Sequence, residues 1–208
     1  MGYFGAHIEH VITVFMAFFA VMNPIAVTAF YSGLTANVDD IEKRRIAIKS
    51  LLIAFLIILL FSLLGKMIFH AFGISLPALR ITGGILLFVV GYQMLHGTSS
   101  KLQSAETKAG SDLAVSPLAI PILAGPGTIS TAINYSAAGG WFEVAATIIT
   151  FFLLSVMTFF CFIFSSKILR FIGINGLSMI TSLMGLIIAV IGVQMVIFGI
   201  KGAIALPF

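Results

Sequence analysis

The sequence predicts an all-α polytopic membrane protein in which six transmembrane helices form two inverted three-helix repeats. Composition, the number of long apolar segments and a similarity between the two halves of the chain lead to this fold class. Of the 208 residues, 60% are hydrophobic and 9% are charged, and the mean hydropathy is +1.18. A soluble domain carries roughly 25% charged residues, so this chain has too little polar surface to cover a water-soluble globule.

Six segments approach the roughly 20 apolar residues that a transmembrane helix needs. They cover residues 8–35, 46–69, 76–96, 114–138, 142–165 and 177–200. The residues before the first segment contain no Lys or Arg, so we expect it to stay as an anchor and not to be cleaved as a signal peptide. We expect residues 1–98 and 114–208 to be the two repeats of a single membrane domain, joined by a polar cytoplasmic loop at 99–113.

Positive charges predict the orientation, because cytoplasmic loops are enriched in Lys and Arg. With the N-terminus outside, eight basic residues fall at the inner ends of the spans: Lys43, Arg44, Arg45, Lys49, Lys101, Lys108, Lys167 and Arg170. Three fall at the outer ends: Lys66, Arg80 and Lys201. We therefore expect a multi-pass protein of the cell inner membrane with both termini outside. These loops account for the net charge of +4, and no nucleic-acid partner is expected.

Three short motifs recur in the same order in the two halves of the chain. The pairs are Asn23-Pro24 with Gly125-Pro126, FGIS at 72–75 with IGIN at 172–175, and GYQM at 91–94 with GVQM at 192–195. The offsets are 102, 100 and 101 residues. A repeat of three spans enters the membrane from opposite sides in its two copies, which is typical of secondary transporters. The alternative is that hydrophobic helices resemble one another by composition alone.

The prolines of the first motif pair are predicted to break helices 1 and 4 near the middle of the membrane. Proline lacks a backbone donor and clashes with the preceding turn. It is favoured at the first position of a helix, where a preceding Asn is a good cap. We therefore predict that Asn23 caps a half-helix over about 24–35 and that a matching half-helix covers about 126–138.

The two predicted helix starts are candidate binding positions for a small polar ligand. A helix N-terminus carries partial positive charge and free N–H groups, so two that converge from opposite sides favour a carboxylate. Nearby hydroxyl and amide groups suit the rest of a small zwitterion. The predicted substrate-binding residues are Asn23, Pro24, Thr28, Gly125, Pro126, Gly127, Thr128, Ser130, Thr131 and Asn134. Alternatively both breaks are packing kinks, and Pro117 and Pro121 leave open a re-entrant hairpin over 114–138.

Other polar side chains limit the chemistry. No Asp or Glu lies deep in a predicted span, which disfavours proton pumping through a buried carboxylate. Arg80 is expected either to extend to the outer interface or to take part in gating or binding. Gln93 and Gln194 are expected to brace the helices or to serve gating or binding. The spans show no clustered metal ligands and no nucleophile with a base, so neither a metal, a cofactor nor enzyme activity is expected.

Three stretches of the sequence resemble the MarC family of bacterial and archaeal inner-membrane proteins: MNPIAVTAFYSGLT, FGISLPALRITGGILLFVVGYQMLHG and AVSPLAIPILAGPGTI. The resemblance implies a polytopic membrane protein of the wider LysE-like exporter group, in which SnatA-type members transport small neutral amino acids. The matching motif positions are Asn23, Pro24, Arg80, Gly83, Gly84, Pro121, Gly125, Pro126 and Gly127. The stretch ILAGPGTIS departs from the LLAGPGAIT-like pattern only in where hydroxyl groups fall.

These observations predict a secondary transporter that moves small neutral amino acids such as glycine or alanine, with export as one direction. A non-transporting membrane scaffold or regulator is the alternative, and an intramembrane enzyme is disfavoured. The expected partners are a small neutral amino acid and membrane lipid, and the residues leave a homo-oligomer open.

Overall fold

The computed structural model describes residues 2–73, 75–96, 114–137 and 139–204, and within them the chain is helical and contains no strand. The predicted loop at 99–113 lies outside the described residues. The α-helices are α1 (Gly2–Met22), α2 (Pro24–Leu34), α3 (Asp40–Ala71), α4 (Leu76–Leu95), α5 (Pro126–Ala137), α6 (Trp141–Ile163) and α7 (Ser165–Ile204). A π-helix over Ala114–Leu123 precedes α5.

In the described part of the chain, five segments are long and apolar enough to cross a membrane. They are His7–Leu34, Asp40–Gly65, Leu76–Leu95, Trp141–Ile163 and Asn175–Ile204, and they match five of the six predicted spans. The expectation of an all-helical protein with several membrane-crossing helices is thereby confirmed. The arrangement as six spans in two inverted repeats stays a prediction.

The remaining predicted span, 114–138, is present as two shorter pieces, the π-helix and α5. Ala124 N donates to Ala119 O at 2.9 Å, five residues back, which is the wider winding of a π-helix. Pro117 and Pro121 carry no backbone donor, so regular α-helical hydrogen bonding cannot continue through this segment.

An aromatic and aliphatic core joins α1, α2, α3 and α6. Phe18 of α1 meets Phe151 of α6 edge to face, with ring centroids 5.1 Å apart. Tyr31 of α2 stacks on Phe162 with centroids 4.3 Å apart, and its hydroxyl donates to Lys43 O at 2.9 Å. These contacts fix the end of α2 and the end of α6 against the start of α3.

The helices α4 and α7 pack backbone to backbone through glycines. Gly84 lies against the carbonyl of Gly192, and Gly91 lies against the carbonyl of Gly185. Added methyl groups would collide with backbone at all four positions, so no larger residue fits without separating the helices. Close approach through small residues is the usual way in which helices associate in lipid, where hydrophobicity gives no net attraction between them.

Candidate functional site

The first break consists of one residue, Asn23, between α1 and α2. Its backbone is left-handed, with φ 45° and ψ 71°, a conformation that Asn tolerates better than most residues. Its Oδ1 accepts a hydrogen bond from Ala26 N at 3.3 Å, so Asn23 caps α2 and Pro24 occupies the first helical turn, as predicted. The side chain is 4% exposed, and its Nδ2 has no hydrogen-bond partner among the described residues.

The second break lies at Ala124 and Gly125, where the π-helix ends and α5 begins at Pro126. The first turns of the two half-helices close in the same way. Val27 N donates to Asn23 O at 3.0 Å, and Ile129 N donates to Gly125 O at 3.0 Å. The sequence therefore predicted the start of both half-helices correctly, and α2 ends at Leu34, one residue before its predicted end. The predicted end of the other half-helix, at 138, lies outside the described residues.

The two breaks lie beside each other. A methyl group added to Gly127, one residue after Pro126, would be 3.3 Å from Val21 Cγ1 in the last turn of α1 and 2.9 Å from Leu87 Cδ2 of α4. The missing side chain of Gly127 is what allows α5 to begin so close to the end of α1. Two helix N-termini thus start in one region of the protein, and each keeps the first-turn N–H groups that neither proline removes nor Asn23 caps.

Hydroxyl groups stand one turn beyond each helix start. Thr28 Oγ1 donates to Pro24 O at 2.6 Å, and Thr131 Oγ1 donates to Gly127 O at 2.9 Å. Both side chains are fully buried, and Thr128 and Ser130 are buried as well. Because the hydroxyl protons of Thr28 and Thr131 are already donated, the remaining capacity of these oxygens is to accept a hydrogen bond.

A row of contacts joins α5 to α4, and the two helices run antiparallel along it. Gly127 meets Leu87, Ser130 meets Gly83, and Asn134 Oδ1 accepts a hydrogen bond from Arg80 Nε at 2.8 Å. Arg80 is half-buried and makes no ion pair within the described ranges. The structure therefore favours a cross-helix contact for this guanidinium over free extension to the membrane surface.

The predicted residues do not all meet. Arg80 is seven residues from Leu87, or roughly 10 Å along α4 by the rise of an α-helix, so the Arg80–Asn134 contact lies well away from the breaks. Pro126 and Gln194 are exposed, Gln93 is half-buried on α4, and the Pro121 side chain is outside the described set. In the described part of the chain, no three His, Cys, Asp or Glu side chains are grouped closely enough to hold a metal ion.

Sequence reasoning missed Ser62 of α3. Its side chain is 4% exposed, and its Oγ has no hydrogen-bond partner among the described residues. Ser62 precedes Gly65 by one turn, and Gly65 packs on Ile133 of α5 with 3.2 Å between its added methyl group and Ile133 Cγ1. Ser62 therefore shares the face of α3 that packs on α5. The only signal was a single hydroxyl residue in the apolar run LLIAFLIILLFSLLGK.

Comparisons with known proteins identify relatives over nearly the whole chain. The sequence model described as MarC family integral membrane protein matches residues 8–204. A UPF0056 membrane protein of Bacillus subtilis, YvbG, is 38% identical over 199 residues, covering 92% of this chain and 94% of the relative. A UPF0056 membrane protein of Pyrococcus abyssi is 35% identical over 190 residues, covering 91% and 93% of the two chains.

The Escherichia coli relative carries the name UPF0056 inner membrane protein MarC. It is 32% identical over 194 residues, covering 86% of this chain and 88% of the relative. No solved structure matches this chain. The matched regions thus extend over most of the chain and are not confined to the two breaks.

Proposed function

The chain belongs to the MarC family of integral membrane proteins, and on that premise we propose that it is a secondary transporter for small neutral amino acids such as glycine and alanine. The observation that carries the proposal is the meeting of two helix starts, at Pro24 and Pro126, through the contact between Val21 and Gly127. A site between broken helices is the usual arrangement in transporters that bind small ions and zwitterions.

In this proposal the two helix N-termini and Asn23 bind the substrate carboxylate. The first-turn N–H groups that remain, those of Ile25 in α2 and of Gly127 and Thr128 in α5, lack a partner within their helix and carry partial positive charge. The buried Asn23 Nδ2 is a further donor without a partner among the described residues, and such a group costs roughly 1–3 kcal/mol while it stays unpaired. A bound carboxylate oxygen removes that cost, which is a physical reason for binding here.

The substrate ammonium group binds to oxygen acceptors one turn further along the half-helices. Thr28 and Thr131 are suited to this because their hydroxyl protons are used by the carbonyls of Pro24 and Gly127. Leu87 and Val21 pack closely on Gly127, so a substrate with a small side chain, such as glycine or alanine, suits this proposal better than a larger amino acid.

We further propose that the chain is built as two inverted repeats that move against each other to give alternating access. Gly73 and Gly173, 100 residues apart, both have positive φ, at 66° and 68°. An offset of 101 residues converts the contact of Gly84 with Gly192 into that of Gly185 with Gly91, and both contacts are present. Such reciprocal contacts are what a two-fold relation between the repeats requires.

Transport by purified protein in liposomes tests the proposal. Labelled alanine should cross the membrane faster than in protein-free liposomes, and unlabelled glycine should compete whereas phenylalanine should not. A gradient of H⁺ or Na⁺ applied in either direction then identifies any coupling ion. Absence of alanine and glycine flux under every gradient, from protein that remains folded, would refute the proposed function.

A further inference from the structure

An apolar groove with a cavity of about 330 Å³ lies between α3 and α6, away from the breaks. Its walls include Ile48, Leu52 and Phe55 of α3 and Phe152, Val156 and Phe160 of α6. The hydroxyl of Ser155, which also lines it, is occupied by a hydrogen bond to Phe151 O at 2.8 Å. None of the predicted substrate-binding residues contributes to this groove.

The groove runs along two antiparallel helices and ends at a basic surface. Phe55 and Phe152 meet at one end with ring centroids 5.7 Å apart, and Ile48 and Phe160 form the other end. Seven residues of α3 separate Phe55 from Ile48, which is roughly 10 Å. That length is about two thirds of one hydrocarbon leaflet, taken as half of a ~30 Å core.

Cationic side chains follow beyond the Ile48 end on α3 and in the first turn of α7. Arg44 and Arg45 precede Ile48 on α3. Phe164 follows Phe160 by four residues, and the ammonium group of Lys167 lies 5.7 Å from the ring centroid of Phe164. The stacking of Tyr31 on Phe162 together with its hydrogen bond to Lys43 O brings these two helix ends together.

The acidic residues nearby do not neutralise this surface. Asp40 pairs with Lys43 and Glu42 pairs with Arg45, each at 3.3 Å. Arg44 is exposed and has no ion pair in the described part of the chain. In the sequence, residues 39–49 and 167–170 carry six cations against three carboxylates: Lys43, Arg44, Arg45, Lys49, Lys167 and Arg170 against Asp39, Asp40 and Glu42.

We propose that this groove is a binding site for one anionic phospholipid, with an acyl chain between α3 and α6 and the phosphate at Arg44 and Lys167. The charge bias predicts that this end faces the cytoplasm, where anionic lipids attract basic residues beside membrane helices. The site is independent of the substrate region, so it holds whether or not the protein transports amino acids.

Native mass spectrometry of delipidated protein in detergent tests the proposal. Phosphatidylglycerol should bind at least tenfold more tightly than phosphatidylcholine with the same acyl chains. The double change Arg44→Gln and Lys167→Gln should weaken phosphatidylglycerol binding by about fivefold for each cation removed. Lys201→Gln, an exposed cation at the far end of α7, is the matched control and should change nothing.

A second pair of variants tests the acyl-chain position. Val156→Trp fills the groove and should abolish tight binding of phosphatidylglycerol, whereas Val190→Trp, at an exposed apolar position of α7 outside the groove, should not. In the unaltered protein, added salt should weaken binding of phosphatidylglycerol but not of phosphatidylcholine. Equal binding of the two lipids, insensitivity to both Arg44 and salt, or coverage of the groove by a second copy of the chain would overturn the proposal.

Discussion

The two breaks begin equivalent half-helices but achieve it with different chemistry. At the first break a single left-handed Asn23 ends α1, caps α2 and keeps a buried amide nitrogen without a partner in the described structure. At the second break a π-helix gives way to Gly125 and Pro126, and Gly127 brings α5 against Val21 and Leu87. The first break provides a polar side chain, and the second provides a glycine whose missing side chain lets helices pack closely.

This difference assigns distinct tasks to the two halves of the proposed site. A side chain that donates a hydrogen bond is needed once to fix the orientation of a substrate carboxylate. A glycine is needed where two helices and the substrate share a small volume. Variants at Asn23 should therefore change recognition, whereas variants at Gly127 should change the size of what fits.

The largest effect is expected from Asn23→Asp. The carboxylate can still cap α2, but it replaces the unpaired donor by a negative charge that repels a substrate carboxylate. A hydrogen bond to a charged group contributes ~1.5–3 kcal/mol, so its loss alone should lower alanine flux by about 10- to 100-fold, and the added repulsion places the effect at the upper end. The measurement is uptake of labelled alanine at matched protein levels.

Asn23→Gly is the control that separates backbone from recognition. Glycine accepts the positive φ of 45° without strain, so the break should persist and the protein should stay folded. The KM for alanine should rise while the thermal midpoint changes little. Equal flux in Asn23→Gly and unaltered protein would show that the amide does not contact substrate.

The second largest effect is expected from Gly127→Val. The new side chain would collide with Leu87 and Val21, and overpacking of this kind costs about 1–3 kcal/mol. Alanine flux should fall at least tenfold, with glycine flux less affected because glycine occupies less space. Gly33→Val on α2 is the matched control, since an added methyl group there meets nothing within 4 Å, and it should transport normally.

Sequence reasoning located both breaks because their cause is local. A proline inside an apolar run has no backbone donor, so Pro24 and Pro126 fix where the half-helices begin whatever surrounds them. The exposed apolar faces of the long helices were predictable for the same reason, since composition alone demands a lipid environment. The π-helix at 114–123 was only foreshadowed by Pro117 and Pro121 as a bent or re-entrant segment.

Contacts between helices were not predictable from the sequence. Whether Gly127 meets Val21 or Arg80 meets Asn134 depends on how each helix is rotated about its axis, and in lipid that rotation is set by packing of small residues and not by hydrophobicity. The same limit explains why Ser62 was missed and why Gln194, which shares a motif with Gln93, is exposed.

An intermediate effect is expected at the hydrogen bond between Arg80 of α4 and Asn134 of α5. We predict that the Arg80–Asn134 hydrogen bond holds one side of the site closed. A hydrogen bond to a charged group is worth ~1.5–3 kcal/mol, so Asn134→Ala should raise the open population about tenfold. The measurement is the labelling rate of Ser130→Cys from outside, in a background in which the single Cys161 is changed to Ala.

Thr82→Ala is the control for this experiment, because the exposed hydroxyl of Thr82 donates to Ala78 O on its own helix. With Thr82→Ala, the labelling rate of Ser130→Cys should equal the rate measured without that change. If the labelling rate is unchanged in both Asn134→Ala and Thr82→Ala, the Arg80 contact stabilises the fold and does not control access.

The smallest effects are expected from Thr28→Val and Thr131→Val, which compare the two half-helices directly. Each change keeps the side-chain shape and removes one buried hydroxyl that bonds to a carbonyl one turn back. A hydrogen bond of this kind contributes ~0.5–1.5 kcal/mol. If both oxygens accept the substrate ammonium, each variant should raise the KM for alanine about two- to tenfold.

Thr150→Val, a buried hydroxyl of α6 with the same kind of bond to Ala146 O, should lower the thermal midpoint without changing KM. An increase in KM for Thr131→Val alone would place the ammonium entirely on the α5 side, and the first break would then serve the carboxylate only.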